Sequence, residues 1–209
     1  MAALTALRPK VQPHVPGCPL PMVDDAILQT VVEFCNRSRA YRFTPADIAV
    51  VASTADYTVS DLPTGMEIAW LLQAELDDVE IDTPDPGSIP PLRDTEAGSP
   101  SAAVVVGTTQ IGLRRVPDEA GTLRVRLALR PSQSATTYPD EFHNLYQDKI
   151  AAGVLAKLYA QPKKDWSAPE LVEYSSNQFE AAIYAAEYRA DRGSANAPAR
   201  TSLNLIGGR

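Results

Sequence analysis

The hydrophobic period of this chain switches twice, and that switch limits its possible folds more than any single motif. In TLRVRLALRP, residues 122–131, Leu123, Val125, Leu127 and Leu129 alternate with Arg124, Arg126 and Arg130, Ala128 being the neutral exception. A period of two belongs to a strand with one buried and one wet face. Other β-rich runs, at 48–53, 56–62, 66–76, 79–82 and 101–116, fill the stretch from Asp47 to about Ser132 between Pro, Gly and Asp clusters. On either side the period lengthens. Ile27, Val31, Phe34 and Cys35 stand at i, i+4, i+7 and i+8 after Asp24, a natural N-cap. After Pro139, Phe142, Tyr146, Ile150, Val154 and Leu158 recur every four residues, with Leu145 and Leu155 widening the stripe. Gly153 inside that helix costs about 1 kcal/mol relative to Ala, which predicts another helix packed closely there. Ser167-Ala-Pro-Glu170 reads as a capping box opening a third helix, with Leu171, Tyr174, Phe179, Ile183 and Ala186 as its apolar face and an end near Gly193.

The expectation is an α+β protein: a three-helix bundle, one helix before and two after, with an inserted antiparallel β domain and extended N- and C-terminal arms. Its parts are an arm over 1–21, which holds five prolines, the bundle over 22–45 and 137–192, the β domain over 46–136, and a polar tail over 193–209. Within the β block, 82–100 contains five prolines with Gly and charge, and reads as a long exposed loop.

At 209 residues and 44% hydrophobic composition the chain can bury a sizeable core. A formal charge of -7 opposes broad binding to nucleic acid, which needs clustered Lys and Arg. No run approaches the roughly 18 apolar residues of a membrane span, so a soluble protein made in a cytoplasm is expected, with Cys18 and Cys35 as free thiols. His14, Cys18 and Cys35 lack the paired short spacings and fourth ligand of a zinc site. HVPGCP, residues 14–19, reads instead as a stiff lead-in to the first helix. Asp78-Val-Glu80-Ile-Asp82 mimics the start of a calcium loop, but Thr83 and Ile89 stand where Gly and Glu are needed. His143 is tied to no nucleophile motif and reads as a surface residue, and no nucleotide-cradling glycine motif occurs. No catalytic, metal or cofactor residue is assigned. Trp70 sits in a strand and is expected in the core; Trp166 precedes a helix N-cap and is expected to staple it.

Several stretches together carry a resemblance: VQPHVPGCP at 11–19, VVEFCNRS at 31–38, DYTVSDLPTGMEI at 56–68, LALRPS at 127–132, YQDKIAAGVLAKL at 146–158 and WSAPELVEY at 166–174. The chain resembles the head-to-tail adaptor (connector) proteins of tailed bacteriophages, especially short-tailed ones, over about residues 11–189, most loosely across 77–122. The resemblance implies a dodecameric ring in the virion neck between the portal protein and the tail or nozzle protein. DNA would pass through it without specific binding, no membrane would be involved, and assembly would take place in the host cytoplasm. Under this reading Leu203, Asn204, Leu205 and Ile206 in the tail are expected to dock on the portal. His14, Pro16, Trp166, Tyr184 and Tyr188 are expected at subunit or partner interfaces. Two other readings stand beside it: another head-completion or tail-terminator component, and a metal or thiol accessory protein using His14, Cys18 and Cys35.

Overall fold

The computed structural model describes residues 1–84 and 96–192. Its helices are α1 (Arg8–Val11), α2 (Leu20–Ser38), α3 (Asp140–Tyr159) and α4 (Pro169–Arg192), with 3-10 turns at Leu4–Leu7 and Gln12–His14. Its strands are β1 (Ala2–Ala3), β2 (Arg42–Phe43), β3 (Ile48–Val50), β4 (Asp56–Thr58), β5 (Met66–Leu76), β6 (Val79–Ile81), β7 (Ala102–Val106), β8 (Gln110–Arg114), β9 (Gly121–Pro131) and β10 (Thr137–Tyr138). The fold is α+β.

The alternating strand, β9, is the centre of the larger sheet. It pairs antiparallel with β5 on one side and with both β2 and β3 on the other, and β6 extends the sheet beyond β5. A second sheet, β4-β8-β7, is also antiparallel. The run 101–116 is therefore a hairpin rather than one strand, turning at Gly107, whose φ of 70° is one that glycine adopts without strain. Leu123, Val125, Leu127 and Leu129 are buried with Ile111 and Leu113 in one core. β5 departs from strict alternation because its register shifts between Ile68 and Trp70 and again between Leu71 and Gln73, so that Met66, Ile68, Leu71 and Ala74 point inward. The first shift moves Trp70 out of the expected core. It is half-buried at the join with the helices, where its indole Nε1 donates to the Asn36 carbonyl at 2.9 Å.

A second core lies among the helices, where α2, α3 and α4 each contact the other two. Ile27, Val31, Phe34, Phe142, Ile150, Val154, Phe179 and Ile183 are buried together there, and Tyr41 packs against both cores. Gly153 meets α4 as its helix propensity predicts: a Cβ built on it would lie 2.6 Å from the Phe179 ring.

The first 21 residues correct the sequence reading. They are not an extended arm: β1 pairs with β10, and Leu4, Leu7, Val11 and Val15 are buried in the helical core. Spacings of three, four and four are helical, and prolines fall at the second position of α1 and of the second 3-10 turn, within the first turn, where a missing N–H leaves no intrahelical hydrogen bond unmade. Likewise α2 starts at Leu20, with Pro19 as N-cap, four residues before Asp24. Asp24 instead accepts a two-pronged pair from Arg8, at 2.6 and 2.5 Å. The 193–209 tail lies outside the described residues, as does 85–95 within the proline-rich loop.

Candidate interaction surfaces

Helix α4 presents three exposed tyrosines on its outer side. Its inner side buries Ser175, Phe179, Ala182, Ile183 and Ala186. Along the edge toward α2, acids at 180, 187 and 191 meet three arginines that follow one another out of α2. Arg37 grips Glu180 with two hydrogen bonds, at 2.6 and 2.5 Å, and also reaches Glu33. Arg39 reaches Glu187 at 2.7 Å, and Arg42 pairs with Asp191. The Arg37 hydrogen bonds hold the Glu180 carboxyl below its ordinary range, and Glu180 in turn raises the Arg37 guanidinium. These charges are neutralised within the chain, leaving an outer face dominated by uncharged aromatics: Tyr174, Tyr184 and Tyr188 are 67%, 64% and 56% exposed. Arg192 lies over the Tyr188 ring, 4.1 Å from its centroid. Tyrosines of this kind are enriched in protein interfaces, where they bury much area at little entropic cost.

Leu171 and Tyr174 were assigned to the buried face by periodicity, but both are exposed. The helix turns its Phe179, Ile183 and Ala186 arc toward the helical core, and near its N-terminus Val172 rather than Leu171 or Tyr174 packs on that core. Nor does Ser167 point back into α4; its hydroxyl donates to the Tyr159 carbonyl at 3.3 Å, tying the connection to the end of α3.

A second concave surface lies where α1 and the following turn meet α3. It is a groove of about 330 Å³ lined by Lys10, His14, Asp148, Ala151, Ala152 and Leu155. Lys10 and Asp148 bridge its rim at 2.6 Å. His14 and Pro16 are exposed as an interface role requires. Trp166 is half-buried against the helical core and donates from Nε1 to Gln161 at 3.2 Å. Of the expected contact residues, His14 alone lines this groove, and Tyr184 and Tyr188 share the α4 face. Leu203, Asn204, Leu205 and Ile206 lie outside the described residues. A further cavity of about 240 Å³ opens between Ala40, Arg42, Phe142 and Arg189, closing over the arginine edge of α4.

The remaining chemistry is structural. Cys35 is fully buried, and burial pushes its thiol well up, away from the reactive thiolate. Cys18 is half-buried. Among the described residues no group of three or more His, Cys, Asp or Glu side chains is placed to hold an ion. In the calcium-like run, Asp78 pairs with Arg124, which also reaches Asp47 at 3.2 Å. Arg130 faces Glu67 at 3.5 Å, and exposed Arg126 stands opposite Gln73. The basic face of β9 is thus largely answered by its own neighbours. No described helix is long and apolar enough to cross a membrane.

His143 is held by the Tyr138 hydroxyl, 2.7 Å from its Nδ1. Burial, with a smaller contribution from Asp140, pushes the Tyr138 phenol up to about 12. A phenol raised in the folded state above its ordinary value of about 10 contributes stability that is complete below pH 10 and lost as pH rises toward 12. Alkaline titration followed by circular dichroism is expected to show stability falling across that window, with a shallower slope for Tyr138→Phe.

The model of one protein family, described as SU10 adaptor protein, matches residues 3–202. No curated protein matches the chain.

Proposed function

The chain belongs to the SU10 adaptor protein family, and from that premise we propose that this phage adaptor forms a dodecameric ring joining the portal to the tail or nozzle in the virion neck. The observation that carries the reading is the family match over nearly the whole chain. The exposed tyrosine face of α4 supports it, because a structural joint needs area to bury rather than a reaction centre. A ring also needs two unlike faces on each subunit, meeting head to tail. His14 and Pro16 near the α1 groove supply one such face, and Tyr184 and Tyr188 the other, with Trp166 between the last two helices as a further contact. Leu203, Asn204, Leu205 and Ile206 are assigned to docking on the portal, as a short apolar patch in a polar tail. DNA passes without specific contacts. The net charge of -7 and the local pairing of Arg124 and Arg130 leave little to grip phosphates. The role involves no catalysis, and assembly takes place in the host cytoplasm.

Mixing the purified chain with portal rings of the same phage and imaging the product by electron microscopy tests the reading. Decorated portals are expected. Truncation after Gly193 is expected to weaken decoration at least about tenfold, the effect of losing roughly 1.4 kcal/mol. Full-affinity decoration by the truncated chain would remove the docking role of the tail, and no decoration by the intact chain would remove the adaptor geometry.

A further inference from the structure

We propose that α4 of one copy lies antiparallel along the outer flank of α3 of the next copy, closing over the α1–α3 groove as the joint of the ring. The inference rests on the ring reading and names the two surfaces that meet. Each helix carries an outward stripe at alternating three- and four-residue spacing, the spacing of helices that pack side by side at a shallow angle. On α4 the stripe is Tyr174, Asn177, Ala181, Tyr184 and Tyr188, all exposed. On α3 it is exposed Leu145 and Asp148 with half-buried Ala152 and Leu155, the last three lining the groove.

The two stripes cannot meet within one chain. α3 and α4 of the same copy already pack through Gly153 against Phe179 and through Lys149 with Gln178. At about 100° per residue, positions 148, 152 and 155 point roughly a quarter to a half turn away from Gly153. The tyrosines of α4 point outward, opposite Phe179 and Ile183. A second copy is therefore the occupant with a matching surface.

Register and charge select the antiparallel arrangement. Setting Ala181 against Ala152 brings two small residues together, so the helix axes can approach closely. Tyr184 then falls beside Asp148, whose carboxylate accepts from a phenol; Tyr188 falls on Leu145, and Asn177 beside Leu155. Glu170 and Glu173 run toward Lys163 and Lys164 beyond the end of α3, while Arg192 runs toward its start, where Asp140 and Glu141 already meet the N-terminal amine and Arg189 of their own chain. A parallel alignment would instead set Arg192 against Lys163 and Lys164, opposing like charges.

The 20 residues of α3, the shorter helix of the pair, extend about 30 Å, and a face roughly 10 Å wide offers roughly 300 Å² per copy, less than half of a standard interface. A single joint is thus weak, and closure, which gives every copy two joints, completes the assembly.

Disulfide trapping tests the contact in the full chain. Cys18→Ser removes the half-exposed thiol, while buried Cys35 stays in place. In that background, oxidised Ala152→Cys/Ala181→Cys is expected to give a ladder of linked oligomers on a non-reducing gel, and each single variant is expected to give none. Ala181→Glu, tolerated on an exposed helix face, is expected to lower self-association in the ultracentrifuge at least tenfold. Self-association without a ladder, or association unchanged by Ala181→Glu, would overturn this joint while leaving the ring. A chain that shows neither ladder nor association, alone or on portal rings, would overturn the ring as well.

Discussion

Replacing Phe34 by alanine is expected to lower the unfolding free energy by about 3–5 kcal/mol, the range for deleting a fully buried aromatic side chain. Phe34 has no exposed surface. Its ring meets Phe142 edge-on at 5.2 Å between centroids, Tyr146 at 5.3 Å and Phe179 at 6.1 Å, so one side chain from α2 holds contacts to both α3 and α4. Aromatic pairs of this geometry add to the area they bury. The cavity left behind would be lined by three rings anchored on two helices, α3 and α4, which cannot all close on it together. Urea denaturation of the variant measures the loss directly, and a midpoint change equivalent to less than about 1 kcal/mol would contradict the central role of this ring.

Gly153→Leu is expected to destabilise by at least about 3 kcal/mol, despite the better helix propensity of leucine. Propensity favours any such substitution by about 1 kcal/mol. Against it stands the packing: a Cβ would lie 2.6 and 2.7 Å from Cδ2 and Cγ of Phe179 and 2.9 Å from Thr30 Cγ2. Cγ is the ring carbon bonded to Cβ, which a ring flip leaves in place, so relief requires a new χ1 rotamer for a buried ring or a shift of α4. Thr30 is held too, its hydroxyl donating to the Ala26 carbonyl at 2.7 Å. Overpacking of a tight core costs about 1–3 kcal/mol for a few added atoms and more when they cannot be accommodated, so packing wins over propensity. Gly153→Ala is expected to destabilise as well, by less. Chemical denaturation of both variants checks the sign, and a stabilised Gly153→Ala would show that the helices separate freely.

Much of this could be read from the chain because hydrophobic period is a local property. Leu123, Val125, Leu127 and Leu129 mark their strand through neighbours two residues away, and Phe142, Ile150, Val154 and Leu158 mark their helix through neighbours four away. The same reading failed at the N-terminus, where five prolines outweighed a helical spacing at Leu4, Leu7, Val11 and Val15 that was already present. It failed at Trp70, since register shifts arise from the pairing of β5 with β9 and leave no mark on β5 alone. Of the candidate interaction surfaces, Tyr184 and Tyr188 were expected at interfaces from the sequence, and both are exposed. Tyr174 and the partners of His14 in its groove were not expected there.

The order of elements, the α+β class and the family likeness were set by the sequence itself, because each rests on patterns a few residues long or on stretches of residue identity. Which side of each helix is left for a partner was decided only by tertiary structure. Arg37 finds Glu180 across 143 residues, and that pairing, with Phe179 seated on Gly153, fixes the rotation of α4 and turns its tyrosines outward. The physical reason is that exposure is what remains after distant segments have covered one another, and no local period records who the coverer will be.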